Sequence, residues 1–201
     1  RPPLKLEFRS GMPANAFALP GGTVVMTDAI VQAAADKGIS DDALIGVLAH
    51  EIGHVVHRHG MRMVVEQGVL NMGLGLALGD VSGVVSTGAT LLTSRAYSRS
   101  HEREADCYAI ALMRQASLPT APMGQLLLAI AHDEEDEAHK PKGTKPAESA
   151  TPAAEPASAP KAKDKASTPR ESSPVWSLLA SHPDTVQRAT ELQQGHAPHC
   201  A

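Results

Sequence analysis

His50-Glu51-Ile52-Gly53-His54 places two imidazoles four residues apart with a carboxylate beside the first. On a helix the two rings fall about 40° apart on one face and about 6 Å apart along the axis, a spacing at which both can converge on one zinc ion. Glu51 stands next to that face. It can reach a water on the ion without ligating the ion, which is the position of a general base. The flanking Leu44, Val47, Leu48, Val55 and Val56 bury the helix and so hold the ligands in a dry, preorganised setting.

Catalytic zinc takes three protein ligands and leaves its fourth position to water. The run Glu102-Arg103-Glu104-Ala105-Asp106 offers the third. Glu102 and Asp106 share one helix face, so one carboxylate can bind metal while the other buttresses a ligand histidine. Glu104 points roughly opposite, which makes Glu102 the better ligand. Ala105 and Ala109 are small and let this helix approach the first closely. His57 and His59 are rivals for the same role. His57 lies about 10 Å along the axis from His50, too far for three bonds near 2 Å to one ion. The longer spacing HExxHxxGxxH also fails, because positions 57 and 60 hold His57 and Gly60. Both histidines are expected instead as cations favourable to a helix C-terminus.

The elements that must carry these residues can be read around them. Leu4 to Arg9 alternates like a half-exposed strand, Asn15 to Leu19 is a second strand stopped by Pro20-Gly21-Gly22, and Thr23 to Met26 is its return. Thr27 caps a helix from Asp28 to Lys37, and Ser40 with Asp41 and Asp42 starts one that runs to about His59. Further helices are expected from about Arg95 to Ala116, from Thr120 to Ala131, and in two short pieces around Ser181-His182-Pro183. The fold class is therefore α+β and mostly helical, with a small sheet.

Residues 133–173 contain no Val, Ile, Leu, Met, Phe, Trp, Tyr or Cys and are rich in proline and mixed charge, so they are expected to form a disordered linker. Trp176, Leu178, Leu179, Val186 and Leu192 follow it, and residues 174–195 should dock back as helices on the domain of residues 1–132. Residues 196–201 are expected as a frayed tail. Between Glu66 and Arg95 the only charge is Asp80; each half is shorter than a spanning helix, so a packed segment is expected, with contact at a membrane surface as the alternative. The chain begins at Arg1, and an N-terminal anchor or targeting signal is expected to lie outside this sequence.

With 18 basic against 22 acidic residues, a net charge of -4 and 2% aromatics over 201 residues, the chain lacks both the basic field and the stacking platforms of a nucleic-acid binder. Nothing calls for an organic cofactor. Two cysteines are too few for a disulfide framework; Cys107 is expected to be a small buried residue.

Asn15-Ala16-Phe17-Ala18-Leu19-Pro20-Gly21-Gly22, then HEIGHVVHRH from His50 to His59, then EREAD from Glu102 to Asp106, then His182-Pro183 with Arg188, resemble the gluzincin zinc metallopeptidases of the HtpX and CAAX-prenyl-protease family. The resemblance covers roughly residues 10–131 and 174–192. It is nearest to the soluble or peripheral branch of bacterial envelope proteases and their mitochondrial inner-membrane relatives. It implies a zincin-like domain holding one zinc on His50, His54 and Glu102, with Glu51 as base and Asp106 behind a ligand. It also implies internal cleavage of polypeptides, misfolded or membrane-associated, at a membrane or in the cell envelope, with the periplasmic side favoured. Asn15, Ala16, Phe17, Ala18 and Leu19 would form an edge strand over the active-site helix that binds extended peptide by strand addition. His182 is expected either as a fourth, displaceable ligand or as a donor to the tetrahedral intermediate, and Arg188 at its oxyanion; a helix N-cap and an ion pair are their plainer alternatives. The competing function is a zinc-stabilised, proteolytically silent polypeptide-binding or chaperone-like module.

Overall fold

The computed structural model describes residues 3–66, 97–139, 177–196 and 200. Strands β1 (Lys5–Arg9), β2 (Ala16–Leu19) and β3 (Thr23–Thr27) form one sheet in the order β1-β3-β2. β3 runs parallel to β1 and antiparallel to β2, with Ala16 opposite Met26 and Leu19 opposite Thr23. Pro20-Gly21-Gly22 closes the hairpin with both glycines at positive φ, a conformation that a side chain would oppose. β2 is left on the edge of the sheet.

Helix α1 (Asp28–Asp36) starts where Thr27 ends β3, and the Thr27 hydroxyl accepts from the Ile30 N–H. Helix α2 (Asp42–Val56) is the central element. It lies against α4 (Arg99–Gln115), α5 (Ala121–His139) and the inner side of β2 and β3. Ile30, Val47, Met123, Leu126, Ile130, Leu178 and Leu192 fill the core between these elements. α6 (Leu178–Ser181) and α7 (Thr185–Gln193) pack on α5. α7 comes so close that a Cβ on Gly124 would sit 2.4 Å from the Ala189 carbonyl oxygen.

Three sequence expectations are corrected here. The helix that carries His50 does not continue to His59: it stops at Val56, Arg58 takes a left-handed conformation (φ 57°), and a new helix α3 begins over residues 59–66. Asp133 to His139 does not belong to a linker. It extends α5, and the Glu134 carboxylate accepts from the Leu178 and Leu179 N–H groups at 2.9 and 3.2 Å, capping the N-terminus of α6. The rest of the expected linker, and residues 67–96, lie outside the described residues. Lastly, Cys107 and Cys200 form a disulfide across 93 positions of sequence, so the chain's end is tied to α4 rather than frayed at that point.

Candidate active site

The two helices that carry the chemistry meet at Gly53. A Cβ there would lie 3.0 Å from Ala105 Cα and 3.1 Å from the Ala105 carbonyl oxygen, so backbone touches backbone and the α2 and α4 side chains on either side converge. His50 Nε2 lies 3.0 Å from His54 Nε2, and Glu102 places Oε2 3.5 Å from the first and Oε1 3.3 Å from the second. Ligands on a tetrahedral ion with bonds near 2.0 to 2.1 Å stand about 3.3 to 3.5 Å apart; both Glu102 contacts have that spacing, and the two imidazole nitrogens stand slightly closer. All three are buried, as is Glu51. Glu51 Oε2 has no hydrogen-bond partner among the described residues, although a buried carboxylate oxygen normally finds one. Two imidazoles, one carboxylate and an unspent basic oxygen beside them fit a catalytic metal centre.

The surroundings set the charge states. His50 Nδ1 lies 2.9 Å from Asp106 Oδ1. Burial opposes the charged form of His50, yet Asp106 and Glu102 overcome it and push its pKa up to about 10. Burial takes His54 well below the ordinary histidine range, so it is neutral, as a ligand must be. Glu102 is held well below the carboxylate range because His182 and Arg188 outweigh its burial. Glu51 moves the other way, raised chiefly by burial, which makes it a stronger base.

His182 joins this cluster from the turn after α6. Its Nδ1 lies 3.2 Å from both Glu102 oxygens, and its Nε2 lies 3.5 Å from Glu51 Oε1 and donates to the Ala16 carbonyl at 3.3 Å. His50, His54, Glu102 and His182 form a set of donors within 4.8 Å of one another. Arg188 occupies a different place from the oxyanion position expected of it. Its Nε and Nη2 donate to Asp106 at 2.6 and 2.7 Å, and Nη1 donates to Glu102 and to the Pro183 carbonyl. A guanidinium engaged on all sides acts through the carboxylates it holds.

Within the edge strand, Asn15 is also corrected. It is buried, its Oδ1 accepts from the Ala16 N–H and its Nδ2 donates to Ser181 Oγ at 3.3 Å, so it fastens β2 to α6 instead of facing a substrate. The Asn15 and Leu19 carbonyls accept from Thr27 and Gly22, which turns the alternate Ala16 and Ala18 groups to the free edge. Phe17, Ala18 and Leu19 are half-buried. Ala18, Leu19, His54, Val55 and Tyr97 are among the residues lining a cleft of about 260 Å³ along that edge.

The model of peptidase family M48 matches residues 5–195. The chain belongs to that family. Its fold is the mostly helical, zincin-like domain with a small sheet, and the family it belongs to is one of metal-dependent peptidases. The chain is 34% identical over 140 residues to a putative beta-barrel assembly-enhancing protease of Vibrio cholerae, covering 63% of this chain and 28% of that one. It is 34% identical over 105 residues to the mitochondrial metalloendopeptidase OMA1 of Saccharomyces cerevisiae, covering 51% and 29%. With the corresponding Schizosaccharomyces pombe protein it shares 37% over 107 residues, 51% and 30% of the two chains. The chain thus spans under a third of the length of these relatives.

Sequence reasoning gave one residue of this M48 site the wrong role and missed another. His59 is fully buried, its Nδ1 2.9 Å from His54 Nδ1 and its Nε2 3.2 Å from Glu104. Burial lowers its pKa to about 4, so it is neutral and not a cation at a helix end. Tyr97 stacks on His54 with ring centroids 3.8 Å apart and donates its hydroxyl to the Ala18 carbonyl at 3.3 Å. The available signal for Tyr97 was its position just before Ser98, whose hydroxyl caps α4 by accepting from the His101 N–H.

Proposed function

We propose that the chain is the catalytic domain of a zinc-dependent endopeptidase that hydrolyses misfolded or membrane-associated polypeptides, with His50, His54 and Glu102 as zinc ligands and Glu51 as general base. The observation that carries this reading is the convergence of the three donors at 3.0 to 3.5 Å beside a buried Glu51 oxygen that has no hydrogen-bond partner among the described residues. Bound there, zinc supplies a Lewis acid that polarises the scissile carbonyl and brings water toward neutral pKa. Glu51 takes the water's proton and hands it to the leaving amine. Asp106 orients His50 through Nδ1, and Arg188 neutralises the paired acids Asp106 and Glu102. His182, whose protonated form is favoured by Glu102 and Glu51 against the effect of burial, is placed to donate to an oxygen that becomes negative.

Substrate recognition rests mainly on β2. An extended peptide adding to that edge takes over the Ala16 and Ala18 groups, whose carbonyls accept from His182 and Tyr97 in this structure. Main-chain pairing of this kind gives weak side-chain preference, which suits unfolded substrates. The Cys107–Cys200 disulfide supports an oxidising compartment, and with it the periplasmic side of a cell envelope. Among the described residues no helix is long and apolar enough to cross a membrane. Contact of residues 67–94 with a membrane surface is tested by liposome flotation with and without that segment.

The deciding experiment measures bound zinc and casein hydrolysis in the wild type and in Glu51→Gln. The variant should keep one ion at this site and lose about 10²-fold or more in turnover, the range of a positioned general base. Full activity in Glu51→Gln ends the proposal. A second reading, a proteolytically silent binding module, draws on the four-donor set that includes His182, since a zinc site closed by four protein ligands is structural. In that case chelation unfolds the protein and no hydrolysis is seen in any variant.

A further inference from the structure

Where α2 breaks, Arg58 turns left-handed and brings His57 and His59 together over Glu104 of α4. One oxygen, Glu104 Oε2, faces His59 Nε2 at 3.2 Å, His57 Nδ1 at 3.6 Å and Arg62 Nη1 at 3.5 Å. These distances exceed the 2.7 to 2.9 Å of good charge-assisted hydrogen bonds. For the two histidines, at 3.2 and 3.6 Å, they bracket the roughly 3.3 to 3.5 Å between ligands on one tetrahedral zinc. The donor atoms of His57, His59 and Glu104 lie within 4.8 Å of one another. His59 is buried and fixed, whereas His57 and Glu104 are 36% and 43% exposed at the side chain. An ion can therefore enter from solvent and retain a water.

We propose that His57, His59 and Glu104 form a second site for a zinc-class divalent ion, and that filling it weakens the hold on the ion at His50, His54 and Glu102. The site itself follows from the donor geometry; the antagonism rests on the zinc reading of the active site given above. A neutral imidazole has one N–H and one acceptor nitrogen. When His54 ligates through Nε2, its hydrogen is on Nδ1, 2.9 Å from His59 Nδ1. His59 then accepts at Nδ1 and carries its own hydrogen on Nε2, toward Glu104. If His59 gives Nε2 to an ion, its hydrogen moves to Nδ1, and two N–H groups face each other across the same 2.9 Å. Filling both sites sacrifices this hydrogen bond and sets two N–H groups against each other, so excess metal loosens the active-site ion and becomes a brake on the enzyme. Arg62, half-exposed at 50% of its side chain, is the group an incoming ion displaces.

The test titrates the full chain with zinc and measures ions per chain, together with the exchange of isotopically labelled zinc out of the tight site. Wild type should reach two ions, while His57→Ala and Glu104→Gln should each stop at one; circular dichroism checks that both variants are folded. Filling the second site should speed loss of the labelled ion about tenfold in wild type, a usual size for coupling between sites, and should have no effect in His57→Ala. Arg62→Ala should bind the second ion more tightly. A wild type that stops at one ion overturns the second site while leaving the active-site reading intact. So does a second ion that survives both variants. Two ions with unchanged exchange overturn the antagonism. No ion in any of the proteins overturns both this inference and the proposed function.

Discussion

Asp106 and Glu102 hold a proton on His50, with a pKa of about 10 in the metal-free protein. A metal entering at Nε2 must expel that proton, so its apparent affinity should rise about tenfold per pH unit between pH 7 and 9. An ordinary histidine, half-protonated near 6.5, would give almost no slope there. Titration calorimetry at pH 8 in buffers of different ionisation heat should find about one proton released per ion. His182 is raised too, so the His50 share is isolated by Asp106→Asn, in which the release should fall. An unchanged release in Asp106→Asn rejects the assignment. The sign for stability follows: the folded pKa of His50 is raised, so its contribution is complete below about 6.5 and lost as pH climbs through about 10. The metal-free protein should therefore soften from neutral to alkaline pH, as read by urea unfolding at a series of pH values. The proximity of His50, Glu51 and His54 was legible because HExxH needs only one helical turn. The place of His59 was not, because it depends on a left-handed turn at Arg58, a residue type that does not announce one.

At the scale of elements, the site depends on how closely α2 and α4 approach. Gly53 is the contact, and a methyl group there has only 3.0 Å to Ala105 Cα. Gly53→Ala gains about 1 kcal/mol of helix propensity in isolation, yet overpacking of this kind costs about 1 to 3 kcal/mol. The helices must part, and Glu102 leaves the two imidazoles. Competition against a chromogenic chelator should show zinc affinity in Gly53→Ala lowered by about 5- to 150-fold, the equivalent of that cost, with α-helical content kept. Arg188→Leu tests the other wall: it strands Asp106 and Glu102 as buried, uncompensated acids, and urea unfolding should show a loss of about 3 to 5 kcal/mol. Much of this arrangement was readable, since Ala105 and Ala109 beside the acidic pair already pointed to a close helix crossing. The extent of α5 was not. Composition alone consigns Glu134 to a solvated run, while in the fold it meets the N–H groups of a helix that begins 44 residues later, and such a partner leaves no trace in local sequence.

For the whole molecule, what matters is that the C-terminal segment closes the site it follows. His182 and Arg188 reach Glu102 and Asp106 only because α6 and α7 dock on α5, and two constraints hold that docking. One is the backbone contact of α7 at Gly124. The other is the Cys107–Cys200 bond, which anchors the chain's end to the residue after Asp106. Its pairing could not be foreseen from two cysteines 93 residues apart, because loop length in sequence says nothing of distance in space. A cross-link over so long a loop removes chain entropy from the unfolded state, typically worth about 2 to 4 kcal/mol. Cys200→Ser should lower unfolding stability by that order, and reductant should do the same to the wild type while leaving a Cys107→Ser/Cys200→Ser double variant unmoved. Because the bond closes next to Asp106, its loss should also loosen the Arg188 clamp, so zinc should exchange faster from the reduced wild type than from the oxidised form. Equal stability and equal exchange in the two redox states would show that the packing of α7 on α5 holds the C-terminal segment without help from the disulfide.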